Sequence, residues 1–207
     1  GAEDEVVAQA YRSLLAVVRA PRAHQDTVAA HLLADATARD EAPAGGLLIE
    51  RVLSDLVWPT GVRSLVVLLD GMSVPVASEL ADDIVSLGWT ELVREGGSRL
   101  PVLAALPTVT AVSRTAFFTG ELGRSASAET AAMRDRFGAP LFHKDGLRAA
   151  AGDALPAAVR EAVSGDSRMV AVVLNTIDDA LAKHDPGGTR WRVGDVQHLR
   201  PLLNAAA

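Results

Sequence analysis

Two short apolar runs, each closed by acidic residues, constrain the fold more than any other feature of the chain. Residues 65–69 read LVVLL and end at Asp70-Gly71. Residues 169–177 read MVAVVLNTI and end at Asp178-Asp179. Runs of Val and Leu without polar alternation fit strands buried on both faces, as in a parallel sheet. Neither approaches the ~20 apolar residues that a membrane-spanning helix requires. Residues 100–106 are a further strand candidate. Helical spacing marks residues 73–86, with Ser73 as a cap and Pro75 in the first turn, where proline is tolerated. It recurs over 110–119, from Asp153 through 159–163, and over 193–206, where Pro201 is expected to kink or split the helix. Residues 127–136 read either as a helix or as part of a loop. Strands that alternate with helices predict an α/β fold with a mainly parallel sheet and helices on both faces.

A helical segment precedes this pattern. Val6, Val7, Tyr11, Leu14, Leu15 and Val18 recur at helical spacing over residues 3–20, and Pro21 is expected to end that helix. A second helix is expected over 26–35, a small-residue loop over 42–46, and a third helix over 47–58, stopped by Pro59. The predicted organisation is a helical lead-in at 1–60 and an α/β domain at 61–207. Aromatic residues are only 4% of a chain that is 49% hydrophobic, so its core must be built mostly from Ala, Val and Leu. The absence of cysteine excludes disulfides, thiolate nucleophiles and Cys-based zinc sites. The formal net charge of −6, with no block of Lys or Arg, leaves no electrostatic footprint for unspecific nucleic-acid binding. No basic-then-apolar leader opens the sequence, and a cytoplasmic protein without membrane attachment is expected. A start at Gly1 rather than Met suggests an excised fragment, with a processed natural start as the alternative.

Chemistry is expected where polar groups follow predicted strands, because ligands of open α/β sheets bind at the carboxyl ends of the strands. Asp70 is either a ligand for a hard divalent cation or a turn or cap residue. Thr110 opens a predicted helix after Pro107-Thr108-Val109. It is either an N-cap, a role Thr108 could fill equally, or a hydroxyl placed to attack phosphorus beside a metal. Arg114, one turn further on, is either solvated or a contact for a phosphate oxygen. Asp178, Asp179, His184 and Asp185 are the densest group of candidate ligands. Asp and His suit zinc or manganese in a cysteine-free site, while acids in the first turn of a helix are the alternative. His24, His31 and His198 read as surface residues of amphipathic helices, and His143 is ambiguous.

Taken together, DGMS after an apolar strand, then LPTVTAVSRTAFFTG, PLFHKDGL, VVLNTIDDAL and Trp191, resemble the PglZ domain of the alkaline phosphatase superfamily. Within that group the pattern is most similar to the phosphatase-like proteins of BREX phage-defence systems. The resemblance covers about residues 61–207. It implies that Asp70 matches the first metal-ligating Asp, Thr110 the Thr/Ser nucleophile and Asp178 the Asp of the next metal-binding segment. Relatives often carry a His four residues after that Asp; position 182 here is Ala, and His184 either compensates or the second metal site differs. The superfamily completes its site with a later Asp-His pair and a further His, and no Asp-His dipeptide occurs in this chain. The resemblance therefore implies the amino-terminal part of a larger domain, inactive alone, from a metal-dependent hydrolase of phosphate esters. Zinc or manganese would serve it, with magnesium as a further option. Its substrates would be phosphomonoesters, phosphodiesters or nucleic acid, and its partners other BREX proteins. The alternative expectation is a non-catalytic scaffold that binds those proteins.

Overall fold

The computed structural model describes residues 2–39, 42, 46–93, 97, 99–183 and 190–207. The chain divides into two compact units, Gly1–Leu47 and Leu48–Ala207. The turns over 49–60, assigned from sequence to the lead-in, belong to the second unit. There Leu53 is fully buried in one cluster with Phe117 and Phe118.

The first unit is dominated by one helix, α1 (Ala2–Arg39), which continues through Pro21. The expected break at Pro21 does not occur. Proline removes one backbone hydrogen bond and crowds the preceding turn, at a cost of about 3 kcal/mol. Long flanks rich in Ala, Leu and Arg keep the helix intact on either side. Arg12 bonds Glu5 and Gln9 along one face of this helix.

The helix expected over 47–58 is replaced by a two-residue strand, β1 (Leu47–Leu48), and a run of irregular turns. These are a 3₁₀ turn (Ile49–Arg51), a π-helical turn (Val52–Val57) and a second 3₁₀ turn (Trp58–Thr60). Pro59, expected to stop the segment, lies inside the second 3₁₀ turn, and the run ends at Gly61, which adopts the left-handed conformation at φ +69°. The next elements are β2 (Ser64–Leu69), α2 (Val74–Ser86), β3 (Val102–Leu103), α3 (Thr110–Thr119) and α4 (Glu129–Phe137). They are followed by β4 (Leu141–Phe142), α5 (Ala157–Ser164), β5 (Met169–Leu174), α6 (Thr176–Lys183) and α7 (Leu199–Ala206). Pro75 falls in the first turn of α2 and Pro201 in that of α7, where no intrahelical N–H is lost. That placement lets α7 form without a kink, but it starts at Leu199 rather than 193.

Strands β2, β5 and β4 form a parallel sheet in that order, with Leu69 opposite Leu174 and Phe142 opposite Val172. The strand expected over 100–106 shrinks to β3, which is not part of this sheet. Central strand β5 is buried along its whole length. Its Val170, Val172 and Leu174 enter one core with Leu80 of α2, Val159 of α5, Ile177 of α6 and Leu202 of α7. Its Met169, Ala171 and Val173 enter a second core with Phe117 and Phe118 of α3 and Met133 of α4. The unit is thus an α/β structure with helices on both faces of a parallel sheet. On α2, Glu79 and Asp83 lie one turn apart and accept the backbone N–H groups of Trp191 and Val193, at 2.8 Å each. Among the described residues, no helix is long and apolar enough to cross a membrane.

Candidate functional site

The register of the sheet determines which residues meet at its carboxyl edge. Because Leu69 faces Leu174, the Asp70 N–H continues the ladder to the Leu174 carbonyl at 2.9 Å. The first residues past β2 and β5, Asp70 and Asn175, are therefore neighbours, and Asn175 Nδ2 donates to Asp70 Oδ2 at 2.9 Å. After Asn175 the chain turns directly into α6, so strand β5 ends before Ile177, short of the sequence expectation. Asp178 and Asp179 consequently sit in the first turn of α6. Gly71, at φ +74°, lets the chain turn beneath that helix; a Cβ there would lie 3.0 Å from Asp178 Cα. Gly71 thereby brings Asp70 and Asp178 side by side.

Thr110 arrives by a different route. It is the first residue of α3, which Val109 precedes as N-cap with no side-chain capping bond, so neither Thr110 nor Thr108 acts as the cap. Since β3 is not part of the parallel sheet, Thr110 does not follow one of its strands. The third sheet strand to end at this edge is β4, which is followed by His143. Thr110 nevertheless lines one open cleft of about 630 Å³ with Asp70, Gly71, Ser73, Arg114 and Asp178. The structure thus brings four of the residues singled out from sequence to a common cleft.

Arg114 is neither solvated nor free. Its Nη1 donates to Asp70 Oδ2 at 2.9 Å, and its Nε donates to Glu129 Oε1 at 3.2 Å. Glu129, the first residue of α4, is completely buried. Its Oε1 also accepts the Thr115 hydroxyl at 2.8 Å. Among the described residues its Oε2 has no hydrogen-bond partner, and it lies 3.4 Å from His143 Nε2. A second concavity, of about 390 Å³, is lined by Arg114, Glu129, His143, Lys144, Asn175 and Asp179. Arg114 therefore borders both hollows.

Burial raises the Asp70 pKa above the usual aspartate value. The Arg114 hydrogen bond and charge oppose that rise, and the charges of Asp178 and Glu129 add to it. Burial pulls on Arg114 in the direction of deprotonation, but Glu129 and Asp70 outweigh it and hold the guanidinium protonated above its ordinary value. Burial lowers the His143 pKa, against the attraction of Glu129 and with the help of Arg114.

The donor set suits a hard divalent cation in kind, with Asp70 and Asp178 supplying carboxylate oxygens on one cleft. It is incomplete in number, because among the described residues no group of three His, Asp or Glu is placed to hold a metal. Asp179 is engaged elsewhere: Lys144 Nζ donates to it at 2.6 Å, which also depresses its pKa. His184 and Asp185 lie outside the described residues. Sequence reasoning missed Glu129, Thr115 and Asn175. Asn175 carried the same signal as Asp70, a polar residue directly after an apolar run. Glu129, within ETAAMRDRF, carried no local signal of burial.

Comparison of the chain with protein-family models and with curated proteins finds no match.

Proposed function

We propose that the chain is part of a PglZ-type, metal-dependent hydrolase of phosphate esters, of the alkaline-phosphatase-like kind, that serves bacteriophage resistance in the cytoplasm with other BREX proteins. The observation that carries this reading is the single cleft lined by Asp70, Thr110 and Asp178 at the carboxyl edge of the parallel sheet. An acidic pair beside a helix-terminal hydroxyl offers cation ligands and a nucleophile, two of the parts that phosphoryl transfer to a protein side chain uses. In the proposed reaction the Thr110 oxygen attacks phosphorus, the P–O bond to the alcohol breaks, and the alcohol leaves with a proton. Water then cleaves the phosphothreonine, regenerating the hydroxyl and releasing the phosphate product. Asp70 and Asp178 would hold zinc, manganese or magnesium, which when bound supplies Lewis-acid stabilisation of oxygen charge at the phosphorus. Thr110, at the amino terminus of α3, would also set the anion near the positive end of that helix.

The test is hydrolysis of p-nitrophenyl phosphate and bis(p-nitrophenyl) phosphate with each of the three metals, by a chain extended past Ala207. Metal-dependent turnover is expected, and Thr110→Ala should lower it at least about 10³-fold, as loss of a nucleophile does elsewhere. Turnover that survives this substitution removes Thr110 from the role. A folded, extended chain inactive with every metal would favour the scaffold role in the defence complex.

A further inference from the structure

We propose that Glu129 and Arg114 are positioning residues for Asp70: Glu129 aims the guanidinium, which with Asn175 pins one carboxylate oxygen and leaves the other for a cleft ligand. The proposal rests on the reading of the Asp70 cleft as the functional site. It starts from the position of Glu129, whose carboxylate is fully buried. Burial of a charge costs several kcal/mol unless it is paired and hydrogen-bonded. The partners that offset this cost, Arg114 and Thr115, are adjacent residues of α3, so a single turn of that helix is tied to the start of α4. With Nε directed at Glu129, the planar guanidinium has its remaining donors fixed in direction. Nη1 then meets Asp70 Oδ2.

Asn175 approaches the same oxygen from the end of β5, also at 2.9 Å. Two donors from two elements converge on Oδ2, which sets the rotation of the carboxylate and leaves Oδ1 as the oxygen available to a ligand. This arrangement reassigns Arg114. A guanidinium already placed between two buried carboxylates is neutralised, and a phosphate would have to compete with both. Arg114 therefore serves the acid of the site, not the phosphate. Outer residues of this kind, which orient a ligating carboxylate, typically change metal affinity 10–100-fold when altered.

The test uses the 207-residue chain and two readouts. The first is the carboxyl ¹³C resonance of Asp70 in wild type, Glu129→Gln, Arg114→Lys and the double variant. If Glu129 acts through Arg114, Glu129→Gln displaces this resonance, and the displacement falls at least twofold in the Arg114→Lys background. A merely structural Glu129 would leave the resonance in place, or displace it equally in both backgrounds; either result overturns the proposal. Should Glu129→Gln fail to fold, Glu129→Asp, which keeps the charge but retracts it, replaces it in the same cycle. The second readout is calorimetric titration with Mn²⁺, where Glu129→Gln is expected to bind 10–100-fold more weakly. Equal Mn²⁺ affinity in equally folded samples also overturns the proposal. If the wild-type chain takes up no Mn²⁺ while the resonance coupling is present, Asp70 and Asp178 alone do not hold the cation, and the positioning role stands.

Discussion

His143 stands where three charges compete over its proton. Burial holds the ring neutral, Glu129 and, more weakly, Asp70 draw a proton towards it, and Arg114 repels one. Burial prevails, so the folded-state pKa lies below the unfolded value of 6.5. The folded state therefore binds fewer protons than the unfolded chain in the interval between the two values. The stability this contributes is fully present above pH 6.5 and is lost as pH falls through the folded value. Asp70 acts in the opposite sense: its raised pKa contributes stability below 3.8 that is lost as pH rises through its folded value. Replacing His143 by Gln leaves the Asp70 contribution in place. Urea midpoints measured from pH 7.5 down to pH 5 should therefore fall less steeply for His143→Gln than for wild type. Identical slopes would show that His143 does not titrate against its burial. At this scale the sequence disclosed the acids that follow apolar runs, Asp70 and Asp178, and the Thr that opens α3. It concealed Glu129, because a Glu at the start of a helix reads as a solvated end until folding carries Arg114 and Thr115 onto it.

Elements are placed relative to one another at this site by a turn rather than by a strand. Gly71 adopts φ +74°, a conformation that costs an ordinary L-residue about 1–2 kcal/mol. A Cβ added there would also lie 3.0 Å from Asp178 Cα, a backbone atom that can retreat only if α6 moves. Gly71→Ala is therefore expected to cost about 2 kcal/mol or more in urea unfolding. Gly88→Ala is the matched control, since its φ of +96° carries strain but no described residue lies within 4 Å of the added carbon. The excess of the first cost over the second measures the contact between the Gly71 turn and α6. Equal costs would mean that the turn does not set the Asp70–Asp178 approach. The turn was legible as Asp-Gly after a strand, whereas its partner on α6 was not, because sequence reading carried strand β5 on to Ile177. Periodicity misjudged two other places for separate reasons. Pro21 was read as a stop, but one lost hydrogen bond does not break a 38-residue helix. Residues 49–60 have helical spacing but fold as 3₁₀ and π turns, whose apolar side chains, Leu53 foremost, still pack inward.

The whole second unit depends on β5, because its side chains alternate between two cores that, among the described residues, have no other fully buried strand in common. Leu174 belongs to the core of α2, α5, α6 and α7, and Phe118 to the core of α3 and α4. Truncation to Ala should cost about 2–5 kcal/mol at Leu174 and about 3–5 kcal/mol at Phe118, through lost burial and the cavity left behind. Two tryptophans report the two sides independently. Trp191 is buried in the first core, and Trp58 packs against the second, 5.2 Å from the Phe137 ring. Since each face of β5 is covered by one core, neither core can open without exposing a face of the shared strand and weakening the other. In chains that retain only Trp58 or only Trp191, both fluorescence transitions are expected to coincide in wild type. Leu174→Ala should then lower both midpoints equally, even though Leu174 points away from Trp58. A shift at Trp191 alone would show that the two faces unfold separately. The edge that carries Asp70, Asn175 and His143 would then lose the common strand end that holds its residues in register.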